Sequence, residues 1–109
     1  MATYTVTRVM TRPDITVSWP WEICGDITVS TETRDSISKE HSEDMLTLTQ
    51  VVVWKDKDQY DAVLADSDVA AKLVEWRNYM AENGITSTYT LDDGTVKVFN
   101  SSSRTFEVE

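Results

Sequence analysis

One cysteine, one histidine, three glycines and two prolines are all that 109 residues hold of the types that most often mark a reactive or flexible site. The single cysteine, Cys24, excludes an intrachain disulfide and any CxxC pair, and it suits a reducing compartment. A lone histidine, His41, cannot supply the paired imidazoles common in transition-metal centres. With so few glycines there is no phosphate-cradling loop and little room for a long flexible linker. Cations are scarce as well: Lys+Arg 10 stand against Asp+Glu 19, for a net charge of -9. That field repels nucleic acid, and Arg8 and Arg12, the nearest thing to a basic patch, are followed closely by Asp14 and Glu22. No apolar run approaches the ~20 residues that cross a bilayer. The opening MATYTVTRV lacks a charged-then-apolar leader, so the expected setting is cytoplasmic, that of a host cell if the protein is viral.

What is present describes an ordinary globular unit, 40% apolar and 27% charged, read as one α+β domain over residues 1–109. Tyr4 to Met10 is β-branched and aromatic and predicts a first strand. Pro13 interrupts it, and Ile15-Thr16-Val17 is expected to continue as an edge strand or extended arm. Asp26 to Thr33 alternates at Ile27 and Val29 and predicts a second strand. The wholly polar Ser38 to Asp44 reads as a hairpin loop. Met45 to Trp54 is the strongest strand signal, and its run Val51-Val52-Val53-Trp54 marks a central position. Tyr60, Val63 and Leu64, then Val69, Leu73, Trp76 and Met80, recur at helical spacing. These predict a helix from Lys57 to Asn83, broken near Ser67, with Asp56 as one cap, Asp66 or Ser67 as the other, and Asn83-Gly84 as the stop. A two-residue Asp93-Gly94 turn is expected to pair Leu91 with Val96 and Tyr89 with Val98. Residues 99–109 read as a peripheral tail or a terminal strand through Phe106 and Val108.

Candidate chemistry is thin. His41 with Glu40, Glu43 and Asp44 falls in the polar turn, where a solvated loop is a better reading than a metal site. Asp56 to Asp61 has acidic spacing but neither the turn glycine nor the terminal glutamate of a calcium loop, and helix-start carboxylates account for it. Cys24 and His41 as nucleophile and base have nothing in the sequence to fix their proximity. No catalytic, cofactor-binding or metal residue is therefore assigned. The remaining cluster is Trp19-Pro20-Trp21: aromatics about a rigid proline make either a subunit anchor or a wall for a flat ligand.

The segment Tyr4-Thr5-Val6-Thr7-Arg8-Val9-Met10-Thr11-Arg12-Pro13 resembles the opening of small uncharacterised proteins of tailed marine (cyanophage-like) phages. Leu46 to Gln50, Asp58 to Asp61, Arg77-Asn78-Tyr79 and Asn83-Gly84-Ile85 are similar too, so the likeness runs from Tyr4 to about Tyr89. It implies a ferredoxin-like antiparallel sheet with one main helical layer, of the dimeric α+β barrel type, whose members include ligand binders and small monooxygenases. This chain departs from that form where a full first helix is expected, because Pro20 to Gly25 allows one turn.

The reading favoured at this point is a non-enzymatic phage-type accessory or interaction module, a homodimer closed through its sheet face, with Trp19 and Trp21 as anchors at the sheet's end. The alternative is a small-molecule-binding or cofactor-free monooxygenase-like protein whose Trp19, Trp21, Trp54 and Trp76 line an apolar pocket. Neither reading calls for a cofactor, a nucleic acid or a membrane.

Overall fold

The computed structural model describes residues 3–25 and 34–109. In chain order the elements are β1 (Tyr4–Thr11), α1 (Pro20–Cys24), β2 (Arg34–His41), β3 (Thr47–Trp54), α2 (Lys57–Ala65), α3 (Ser67–Asn83), β4 (Thr86–Thr90), β5 (Val96–Asn100) and β6 (Thr105–Val108). The six strands form one antiparallel sheet in the order β2-β3-β1-β4-β5-β6, and the helices are laid over one of its faces. Alternation decides which residues meet them. In β1, Tyr4, Val6, Arg8 and Met10 point to the helices; opposite them in β3 stand Trp54, Val52, Gln50 and Leu48.

The helical stripe is as the periodicity predicts. The Asp56 carboxylate caps α2 by accepting from the Gln59 amide at 2.8 Å, and Asp66 caps α3 by accepting from the amides of Asp68 and Val69. Gly84 ends α3 in the left-handed conformation, φ 72°, where a side chain would be strained. The helix α1 is a single turn begun by Pro20, and its last carbonyls are taken up by α3: Lys72 Nζ donates to Cys24 O at 2.6 Å and Trp76 Nε1 to Gly25 O at 2.9 Å.

Three sequence expectations need correction. Ile15-Thr16-Val17 is a turn and not a strand, closed by Asp14, whose carboxylate accepts from the Thr16 amide at 2.8 Å. Ser38 to His41, expected in a loop, belongs to β2, and the turn is confined to the residues after it, where the Ser42 amide donates to Thr47 O at 2.9 Å. Among the described residues β2 is bonded on one side only, and a strand so placed can be largely polar, which hides it from a hydrophobicity reading. The strand predicted over Asp26 to Thr33 lies outside the described residues.

The third correction is one of register. Leu91 and Thr95 close a three-residue loop, the Leu91 amide donating to Thr95 O at 2.8 Å, with Gly94 at φ 89° completing the turn. One extra loop residue slips the pairing by one, to Thr90 with Val96 and Tyr89 with Lys97. The slip exchanges the faces of β5. Lys97 and Phe99 therefore turn toward the helices, and Val96 and Val98 turn away. Residues 105–108 form a strand, β6, bonded to β5.

Candidate functional site: a cavity between two half-cores

The buried apolar residues fall into two clusters. One gathers Met10, Trp19, Leu48, Trp76, Met80, Ile85 and Phe99 beneath the C-terminal part of α3. The other joins Tyr4, Val6 and Trp54, with Tyr60 and Val63 of α2 against them. Between them lies a cavity of about 490 Å3, floored by the sheet and roofed by Val63 and Leu64 of α2 and Val69, Leu73 and Trp76 of α3. Ile37 and Leu64 are the two exposed residues of its lining and stand at its mouth.

Its floor is polar along a single line. The register places Lys39, Gln50, Arg8, Tyr89 and Lys97 side by side across β2, β3, β1, β4 and β5. Four of these five line the cavity, as does Arg77 from α3; the fifth, Lys39, turns its ammonium over the Trp21 ring at 4.4 Å. Arg8 lies against two rings, with its guanidinium 4.8 Å from the centre of Tyr89 and 5.2 Å from that of Trp76. Its Nε is buried with no hydrogen-bond partner among the described residues, and so is the Nε1 of Trp54, a residue 7% exposed. Among the described residues no carboxylate lines the cavity, and neither Arg8, Arg77 nor Lys97 is in an ion pair. Tyr60 completes the wall; burial, reinforced by Tyr89 and Tyr4, pushes its phenol up to about 12, so it stays protonated.

The four tryptophans divide between two roles. Trp19 and Trp21 stack at 5.6 Å, and Trp21 meets Trp76 at 5.9 Å, so these three come together. Trp54 does not join them and instead meets Tyr60 edge-on at 5.6 Å. Only Trp54 and Trp76 line the cavity. Trp19 is packing at the end of the sheet: it begins α1, donates its amide to Glu22 Oε2 at 3.0 Å, and carries the Arg12 guanidinium 4.5 Å above its ring.

The other residues weighed from sequence are held elsewhere. Cys24 donates its thiol to the carbonyl of Glu75, and burial with the nearby Glu75 charge raises its pKa, away from the thiolate a nucleophile needs. The ring of His41 faces Trp19. Asp44 serves its own turn, accepting from Ser42 Oγ and from the Leu46 amide. Among the described residues no group of three metal-binding side chains comes together, and no helix is long and apolar enough to cross a membrane.

Sequence reasoning passed over Arg8, Gln50, Arg77 and Lys97. Two of them carried a signal: Arg8 and Gln50 are the single polar residues at inward positions of otherwise apolar alternations. Comparison with protein-family models, with curated proteins and with solved structures finds no match for the chain.

Proposed function

We propose that this protein binds a small, largely aromatic ligand in the cavity between its helices and its sheet. The observation that carries this reading is the split core: about 490 Å3 of space, walled by aromatics and holding a few convergent polar groups, where close packing is the rule. Ligand sites of small-molecule size run from ~300 to ~1,000 Å3 and have this make-up. The test is the native mass of the purified protein against its denatured mass, before and after incubation with flat aromatic compounds. The reading expects a saturable added mass that is lost on denaturation and reduced in a Val52→Phe variant, whose ring projects into the space. A bare mass throughout, with melting temperature unmoved by every compound, contradicts it.

The order β2-β3-β1-β4, with α1 joining β1 to β2 and α2–α3 joining β3 to β4, supports the ferredoxin-like reading, with β5 and β6 added at one edge. The phage-type accessory role rests on the resemblance of Tyr4 to Pro13 and the later segments, and a cytoplasmic setting on the single cysteine.

A second reading, that the chain is a homodimer through its sheet, is favoured by the face turned away from the helices. Its four inner strands, β3, β1, β4 and β5, present threonine and valine, among them Thr7, Val9, Val51 and Thr88, and no charged residue; Glu40 and Glu107 stand on the outer strands. A chain carrying -9 can meet its own copy most easily over an uncharged face. Sedimentation should then give a dimer that Val51→Lys splits into folded monomers; a wild-type monomer at high concentration overturns this reading.

A further inference from the structure

We infer that the ligand is an aromatic carboxylate, its ring system against the aromatic wall and its carboxylate on Arg8. The inference rests on the binding reading above and goes on to name the ligand's chemistry.

Three of the chain's ten cationic residues, Arg8, Arg77 and Lys97, line this one space, although the chain as a whole carries nearly twice as many acids as bases. Chance placement in an acidic protein would have put carboxylates beside them, as it did beside Lys57, Lys72 and Arg104, each of which is ion-paired. Guanidinium and ammonium groups are all donor and no acceptor, so Arg8, Arg77 and Lys97, in no ion pair among the described residues, make this space short of acceptors and of negative charge. Arg8 Nε and Trp54 Nε1 are buried within its walls with no partner among the described residues. An occupant that supplies negative charge meets the demand of the cations, and a planar carboxylate matches the guanidinium fork. The rest of the occupant is set by the wall. Trp54, Tyr60, Trp76, Tyr89 and Phe106 offer flat apolar surface around the polar floor.

Isothermal titration of the full chain with 1-naphthoate and with 1-naphthamide, its uncharged counterpart, separates the two proposals. The inference expects naphthoate to bind roughly tenfold to a hundredfold more tightly, the range given by a charge-assisted hydrogen bond. Arg8→Gln should abolish that preference, while Arg77→Gln and Lys97→Gln reduce it. Should Arg8→Gln fail to fold, a pH series on the unaltered protein decides the matter. The preference must then vanish as the pH falls through the carboxyl pKa of naphthoate itself. Equal affinity for acid and amide overturns the carboxylate inference and leaves the cavity a binding site. A preference that survives Arg8→Gln overturns the role of Arg8. Binding of neither compound counts against both proposals.

Discussion

Arg8 and Tyr89 are register partners across β1 and β4, and the guanidinium lies 4.8 Å from the centre of the phenol ring. The ring supports the cation but offers its Nε proton only a weak π face, so Arg8 is held in place with no conventional acceptor among the described residues for that proton. On the proposed reading, a side chain in that position serves binding more than folding.

Arg8→Met, which keeps length and apolar contact while removing the charge, should therefore leave stability unchanged or raise it by about 1 kcal/mol. Urea unfolding measures it. A loss above about 2 kcal/mol would mean that the contacts with Tyr89 and Trp76 outweigh the desolvated charge.

Arg12, four residues further along the chain, is the opposite case. It is buried and donates to Met45 O at 3.0 Å and to Val17 O at 2.9 Å, pinning the turns after β1 and β2 to each other. Arg12→Ala should cost about 2–4 kcal/mol, because two carbonyls lose charged donors and Trp19 loses its cover. The same unfolding experiment, showing a change below about 0.5 kcal/mol, would refute this placement.

The carboxylate of Asp66 closes the junction between α2 and α3 by accepting from two amides of the first turn of α3. Asp66→Ala should lower stability by about 1 kcal/mol. Because Leu64 and Val69 roof the cavity on either side of that junction, the variant should also weaken ligand binding, which Asp66→Asn, a competent cap, should largely restore.

Tyr60 sets an alkaline limit. Its folded pKa of about 12 lies above the value of 10.0 for an unperturbed phenol, so the unfolded chain loses this proton first as pH rises. The contribution to stability is whole below about pH 10 and is lost between about 10 and 12. Tyr60→Phe should flatten that part of the stability profile. An unaltered alkaline profile in the variant would assign the loss to other groups.

The parts of the fold legible in the sequence are those with one apolar face. β1, β3 and the stripe from Tyr60 to Met80 each pack one side against a core, and alternation or helical spacing records it. β2 escaped because an edge strand with a single apolar residue turned inward, Ile37, carries almost no such record. The candidate site escaped for two different reasons. Lys97 faces the cavity only because the loop Asp92-Asp93-Gly94 has three residues and not two, a backbone matter that composition leaves open. Arg8 and Gln50 were legible as breaks in apolar alternation, but the break acquires meaning only when the register sets them side by side. The tryptophan pair drew attention by its composition and lies with the larger cluster, with Trp54 standing apart in the other.

The most direct test of the central claim is to follow the side-chain N–H signals of Arg8 and Trp54 by NMR while 1-naphthoate is added. A ligand seated between the half-cores must shift both, saturably and with one dissociation constant. The indole of Trp19, which begins α1 outside the cavity lining, should move little. Shifts confined to Trp19 and Trp21, or no shift at all, would contradict the account.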